Sequence, residues 1–404
     1  MSLPQKRLTF FITGLAKGGA HQSALSWFEL LRESGRYELD IWAGLEGWFT
    51  EQLRKRGFTY QLLPLPSALG AIRHGSWTRN RWTTVGRVVA MGPALLKAWW
   101  RIGFRATDGV VLTGGRDFLM LLPLVLRKRA NSATIPQSTD WGSIPTCKLM
   151  CQLVGHVYAI SQSVADSIIE MGVNEQKIKV LPLIYTRPLK QRFPDKMELR
   201  RRLGLPEDRP LVGMVGLIRS NKGQKDAVLV IDRVRREVPQ ALLVVAGAPM
   251  AGVVEALSYE TEIKQLAKDL HLGNHVLFLG WRDDIPSVMR SFDVLFVPSH
   301  DREGVPRVIL EGMEAALPMV ASDLEQFREI IGAYDAGRLL PVADHGGWAR
   351  ETVELLKSQL SREALSRRAR ETWQSHYSEE AVRKDLLAAF DAVVSRDNSL
   401  GPLG

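Results

Sequence analysis

The sequence predicts an α/β protein built from two parallel-sheet, Rossmann-like domains, and three observations carry that prediction. Short apolar runs alternate with helical periodicity along the whole chain, the pattern of βαβ units and a mostly parallel sheet. The alternation lapses once, between Leu181 and Pro210, where prolines and mixed charge mark a connection with one short helix. A chain of 404 residues is also too long for one ordinary core. The expected division is 1–184 and 185–378. Residues 379–404 then form a terminal helix that crosses back to the first domain, followed by a frayed tail.

Leu8–Thr13 reads as the first strand, followed by a glycine turn and a helix over Ala20–Arg32. Leu39–Ala43, Tyr60–Leu63, Gly109–Leu112, Ala133–Ile135 and Val157–Ile160 continue the strand series. Ser163–Met171 reads as a helix with Ser163 and Asp166 at capping-box spacing. After the connection the series restarts with Leu211–Val215, Ala241–Ala246, His275–Leu279, Val294–Val297 and Met319–Ala321. Two such domains are expected to face each other across a central cleft. Ligands in open α/β sheets gather at the carboxyl ends of strands, so the loops that follow strands should carry the chemistry.

Composition excludes several classes. With 45% hydrophobic and 24% charged residues, the chain is ordinary globular protein and not largely disordered. The longest apolar run, Phe118–Leu126, is about half the ~20 residues a membrane-spanning helix needs. Lys6-Arg7 before LTFFITGLA imitates a signal peptide, but Lys17 and the glycines break it, and a buried strand fits better. Cys147 and Cys151 make neither a disulfide framework nor a four-cysteine zinc site, which suits a reduced, cytoplasmic setting.

The 53 Lys and Arg against 44 Asp and Glu leave a formal charge of +9. No acidic residue falls between Glu51 and Asp108, whereas Arg54, Lys55, Arg56, Arg73, Arg79, Arg81, Arg87, Lys97, Arg101 and Arg105 do, interleaved with Trp77, Trp82, Trp99 and Trp100. Within this stretch Val85–Phe104 reads as one or two helices around Gly92-Pro93, suited to an anionic membrane interface. The plain alternative is a helix covering a sheet, with Trp99 and Trp100 partly in the core. Arginines with aromatics also serve single-stranded nucleic acid, but no binding motif is present and no nucleic-acid partner is expected.

Three loops carry candidate chemistry. The first strand ends in Gly14-Leu-Ala-Lys-Gly18-Gly19-Ala20, a turn that lets backbone approach a ligand at a helix start, although its spacing is not G-x-G-x-x-G. Leu211–Val215 runs into Gly216-Leu-Ile-Arg219-Ser-Asn-Lys222-Gly223, which sets a guanidinium fork and a point charge beside a helix start, a combination suited to a diphosphate. A solvated basic loop is the alternative. The stretch Asp301–Ser322 follows Val294–Val297 and carries Glu303 and, eight positions on, Glu311, with Gly304, Val305 and Pro306 leading into a helix. Sugar or ribose hydroxyls would satisfy such carboxylates; the alternative makes them helix-terminal and surface charges.

At these residues the chain resembles the retaining GT-B glycosyltransferases of family 4. Glu303 and Glu311 match their E-x7-E pattern, and the paired glycines, Ala159–Ser167, Lys222-Gly223 and PMVAS agree with it. The resemblance covers most of the chain. It implies a GT-B fold, Glu303 beside the donor sugar, Glu311 on the ribose, and Arg219 and Lys222 on the diphosphate. Gly216 belongs to the same donor loop, and Gly304, Val305 and Pro306 lie against the donor. Gly18 and Gly19 approach donor phosphate or acceptor, and Gly280-Trp281-Arg282-Asp283 holds the base. Leu217 stands where relatives often carry arginine, so Arg219 replaces it. Gln137 is nearest to the place of a cleft histidine, with Asp140 close by, and His156 is a packed or capping residue. The N-G-[VI]-D linkage of relatives is absent, and Leu317 replaces a usual glycine.

The function expected on that basis is transfer of a sugar, with retention, from a nucleotide-diphosphate sugar to a hydroxyl of a lipopolysaccharide-core, O-antigen or similar lipid-linked glycan. The acceptor or membrane side is assigned to Arg79, Arg81, Trp82, Lys97, Trp99, Trp100, Arg101, Gln137 and Asp140. The nucleotide-sugar is a co-substrate, and no metal or other cofactor is expected, since Asp283-Asp284 before Pro286 reads as a helix start. The expected place is cytoplasmic, peripheral on the inner face of a bacterial membrane. A nucleotide-sugar epimerase or hydrolase on this fold, and a two-domain small-molecule binding protein, are the alternatives.

Overall fold

A computed structural model describes residues 4–13, 19–63, 92–93, 95–136, 145–181, 192–249, 253–301 and 307–395. The chain divides into two compact units, one drawn from 1–184 and 382–404, the other from 185–381.

In the first unit β1 (Lys6–Ile12), β2 (Tyr37–Ala43), β3 (Gln61–Leu62), β4 (Gly109–Leu112), β5 (Ser132–Thr134), β6 (His156–Ala159) and β7 (Ile178–Val180) form one sheet in the order β3-β2-β1-β4-β5-β6-β7. In the second, β8 (Leu211–Val215), β9 (Leu242–Ala246), β10 (Val276–Gly280), β11 (Val294–Val297), β12 (Met319–Ser322) and β13 (Arg338–Leu340) are ordered β10-β9-β8-β11-β12-β13. Every ladder is parallel. Parallel strands need helical crossovers, which cover both faces, so β4, β8, β9 and β11 are apolar throughout, like the fully buried Leu242–Ala246. Phe10 packs edge-on against Phe28, ring centroids 4.9 Å apart. In the second unit Phe296 of β11 meets Trp348 at 5.4 Å. Burying one such side chain contributes about 1.5–3 kcal/mol.

Two polar devices fix the frame. Asp293, just before β11, accepts from the Arg200 guanidinium at 2.6 Å, the Lys196 ammonium at 3.0 Å and the Leu211 N–H at 2.8 Å, pinning the amino ends of β8 and β11 to the helix Lys196–Leu203. Burial alone would push this carboxyl up, but Lys196, the Leu211 N–H and Arg200 outweigh it and hold it below the usual carboxylate range. The helix Glu379–Val394 straddles the unit boundary, and its later turns belong to the first sheet. Tyr158 donates to the Ala389 carbonyl at 2.8 Å, Asn131 to that of Val393 at 2.9 Å, and Tyr37 to Asp391.

Some details depart from the sequence expectation. The edge strands β7 and β13 were not anticipated; each is three residues long and carries a cation, Lys179 or Arg338, where an apolar run would be the signal. The helix Gln162–Glu170 is capped by Ser161, whose hydroxyl accepts from the Val164 N–H at 3.3 Å. Ser163 is buried inside the first turn, and Asp166 accepts from Gln162 instead of closing a capping box.

Candidate functional site

In the second sheet β8 and β11 are neighbours whose crossovers leave in opposite directions, toward β9 and β12. A crevice opens at the carboxyl ends of strands where connections part in this way. The loops that border it are those after β8 and β11.

After β8 the chain passes Gly216 and Arg219 into the single turn Ser220–Lys222, and Gly223 then opens the helix Gln224–Val234. The exposed Arg219 guanidinium has no hydrogen bond or ion pair among the described residues; Lys222 is half-buried. Gln224 is fully buried and donates to the Leu217 carbonyl at 2.9 Å, which holds the turn from inside. Gly223 is in the left-handed region at φ +73°, and a Cβ there would lie 1.9 Å from the Pro298 carbonyl oxygen. The β8 and β11 loops therefore touch backbone to backbone, and the His300 N–H donates to the Asn221 carbonyl at 2.9 Å.

The rim continues along the sheet. A Cβ on Gly247, after β9, would sit 1.8 Å from the Gly216 carbonyl oxygen, and the Gly247 N–H donates to the Gly280 carbonyl at the end of β10. Trp281, 45% exposed, donates its indole N–H to Asp283 at 3.0 Å. Arg282 directs its fork at Asp284, Nε at 2.8 Å and Nη2 at 2.5 Å, which raises the guanidinium and lowers the carboxyl. That local pairing occupies the Arg282 charge. Asp284 precedes the helix Ile285–Arg290, the helix start anticipated there.

Glu303, Gly304, Val305 and Pro306 lie outside the described residues, as do Gly18, Arg79, Arg81, Trp82, Gln137 and Asp140. Glu311 lies within the helix Arg307–Glu314, its Oε1 3.5 Å from Arg307 Nε. Burial pushes the Glu311 carboxyl up, against the pull of Arg307 and aided by Glu314. Among the described residues no cluster of three or more His, Cys, Asp and Glu is arranged to hold a metal ion.

Three further side chains meet behind this loop pair, without any sequence pattern to announce them. Asp226 accepts from His300 Nε2 at 2.5 Å and from His345 Nε2 at 2.7 Å, across 74 and 119 positions of chain.

In the first unit Gly19 begins the helix Gly19–Ser34. His21, also missed from sequence, packs on Phe49 at 5.3 Å, and burial pushes its imidazole down to about 4, so it is neutral at physiological pH. Its signal in the sequence was its place two positions after the paired glycines. His156 is half-buried, stacked on Tyr158 at 5.9 Å, and burial lowers its pKa. Cys147 and Cys151 are buried free thiols, pushed up by burial to about 11 and about 12.

Residues 95–103 are helical. Trp99 is half-buried and donates to the Leu119 carbonyl at 2.9 Å, whereas Trp100 is 78% and Phe104 82% exposed. Leu96, Trp100 and Phe104 recur every four positions and so share one face, with Lys97 and Arg101 beside it. The basic run is not acid-free in space: Arg54 pairs with Glu46, Lys55 with Glu51, Arg56 with Glu29 and Arg105 with Asp40. No helix among the described residues is long and apolar enough to cross a membrane.

Residues 195–372 match the family model of glycosyl transferases group 1. The second unit carries a glycosyltransferase domain. N-acetyl-alpha-D-glucosaminyl L-malate synthase of Bacillus anthracis is 28% identical over 210 residues, 52% of either chain. Lipopolysaccharide core biosynthesis mannosyltransferase LpsB of Rhizobium meliloti is 30% identical over 155 residues, 37% of this chain and 42% of that one. The chain thus matches about half the length of such relatives, or less. Among solved structures, Anabaena Alr3699/HepE in complex with UDP and glucose superposes with a TM-score of 0.79 at 18% identity, covering 96% of this chain and 100% of the other. The fold is GT-B.

Proposed function

We propose that the protein transfers a sugar from a nucleotide-diphosphate donor to a hydroxyl of a lipid-linked or cell-envelope glycan of the lipopolysaccharide-core or O-antigen kind, with retention of configuration. The observation that carries this reading is the meeting of the β8 and β11 loops at the point where the connections part. That meeting joins the Arg219–Lys222 turn to the segment running into Glu303 and Glu311. The solved GT-B neighbour holds UDP and glucose, and LpsB acts in lipopolysaccharide core biosynthesis; both agree with the reading.

Negative charge grows on the diphosphate as the glycosidic bond to the donor breaks. The Arg219 guanidinium and Lys222 ammonium neutralise it, assisted by the start of the helix Gln224–Val234, so the step needs no metal. Glu303 orients the sugar and Glu311 grips the ribose. The departing phosphate oxygen takes the acceptor proton, so no separate base is required. The Glu311 carboxyl, 32% exposed and beside Arg307, would accept the ribose hydroxyls. Trp281 offers an indole face to the base and Arg282 a fixed loop beneath it.

Thermal melts of the whole chain with UDP, GDP, CDP and ADP should identify the base by mass-action stabilisation. Glu303→Ala and Lys222→Ala should abolish transfer while leaving the fold intact, and EDTA should leave transfer unchanged. Near-normal turnover in both variants would sink the assignment.

The docking face fits the Leu96, Trp100 and Phe104 stripe flanked by Lys97 and Arg101, which would seat the enzyme on the anionic inner face of the membrane. Flotation with phosphatidylglycerol vesicles at low salt should retain the wild type and release Trp100→Ser/Phe104→Ser. Equal flotation of the two, or none for the wild type, would remove the membrane part.

A further inference from the structure

We propose that Asp226, clamped between His300 and His345, is a positioning residue that sets the spacing of the two loops at the diphosphate end of the donor site. The inference rests on the donor reading above.

Three independent ties join the β8 loop to the β11 loop. Gly223 packs directly on the Pro298 carbonyl, and the His300 N–H donates to the Asn221 carbonyl at 2.9 Å. The third tie is made by side chains. Asp226, in the first turn of the helix Gln224–Val234, takes His300 on one carboxylate oxygen and His345 on the other. His345 opens the helix His345–Lys357, which packs beside Gln224–Val234.

The carboxylate is a two-sided hub: one arm reaches the segment that continues toward Glu303, the other reaches the scaffold. Its side chain is 14% exposed, and those of His300 and His345 are 37% and 22% exposed, so the bridge is shielded but not sealed. It borders a small cleft lined by Pro298, Ser322, Ala343 and Trp348. Ala343, two positions before His345, is held at φ +59°, a conformation costly for a residue with a Cβ and kept only where its surroundings enforce it. The Ser322 hydroxyl in the same cleft has no hydrogen-bond partner among the described residues.

An imidazole that donates Nε2–H to one oxygen of a shared carboxylate is fixed in both tautomer and rotation. Loss of the hub frees the His300 side chain and lets the β11 loop shift about the His300–Asn221 backbone bond. Arg219 and Lys222 would then stand at the wrong distance from the rest of the diphosphate site.

The test uses the whole chain, with UDP, GDP and inorganic pyrophosphate as probes in calorimetric titration. Asp226→Ala should weaken the nucleotide that binds and pyrophosphate in parallel, by about tenfold, the equivalent of one hydrogen bond to a charged group. His300→Ala should match it. His345→Ala removes only the scaffold arm and should cost about threefold, half of that free energy. Asp226→Asn should restore affinity to near wild type, because its amide accepts from one imidazole and donates to the other once that ring changes tautomer.

A merely structural Asp226 would lower the melting temperature without moving pyrophosphate affinity, and that result overturns the proposal. So does an Asn variant no better than Ala. A wild type that binds none of the probes overturns the donor reading together with the clamp; intact wild-type binding with an unaffected Asp226→Ala overturns the clamp alone.

Discussion

Gly223→Ala puts the contact between the two site loops to a quantitative test. A methyl group at 223 would stand 1.9 Å from the Pro298 carbonyl oxygen, where real Cβ atoms come no nearer than 3.0 Å, so the loops must part by at least the difference of 1.1 Å. Such a shift stretches the 2.9 Å hydrogen bond from His300 N–H to the Asn221 carbonyl toward about 4 Å, which breaks it. Holding a residue with a Cβ at φ +73° costs about 1–2 kcal/mol and the lost hydrogen bond about 1 kcal/mol, together roughly 2–3 kcal/mol. For a unit of this size that lowers the melting temperature by about 4–12 °C. Differential scanning calorimetry measures it, and nucleotide titration at a temperature well below the melt measures the effect on the site, expected as a loss of at least about tenfold. A variant that melts within about 2 °C of wild type and binds nucleotide normally would mean that the two loops do not depend on each other as described.

Three further outcomes are expected. Asp293→Ala strands the Arg200 guanidinium, 5% exposed, without its carboxylate and should cost about 3–5 kcal/mol, or roughly 6–20 °C of melting temperature. Because the folded Asp293 carboxyl lies below its ordinary value, its contribution is complete above the unfolded pKa and is lost as pH falls through the folded one; acid titration of stability should therefore be shallower in the variant. Glu311 has the opposite sign: its folded value is raised, so its charged form opposes folding as pH rises, and Glu311→Gln should melt at or above wild type at pH 8 while binding nucleotide more weakly. Tyr158→Phe removes the bond to the Ala389 carbonyl and should cost about 1 kcal/mol by chemical denaturation, with no change in nucleotide affinity.

The central strands were legible because their burial is written as continuous apolar runs: Gly109–Leu112, Leu211–Val215 and Val294–Val297 coincide with the strands found. The edges Ile178–Val180 and Arg338–Leu340 were not, since they are short, cation-bearing and half solvated. The loop after β8 lies where the sequence placed it, because the buried run Leu211–Val215 ends at Gly216. The bridge between Asp226, His300 and His345 could not be read, because only the crossover topology brings those positions together. Charge shows the same limit. A stretch free of acids in sequence borrows Glu29, Asp40 and Glu46 from elsewhere, so the surplus over Arg54–Arg105 is smaller in space than along the chain.

The helix Glu379–Val394 has a consequence for how the protein is made. Positions 382–395 supply Phe390, Val393 and the Asp391 partner of Tyr37 to a sheet whose strands all precede 185. At about 5–20 residues per second, a ribosome spends roughly 10–40 s on the intervening unit before that piece emerges. The half synthesised first is thus the half finished last. Until then the apolar seat around Phe10 and Gly109 lacks Phe390 and Val393. Released early at residue 381, the nascent chain would hold one finished unit and one waiting for its last strap.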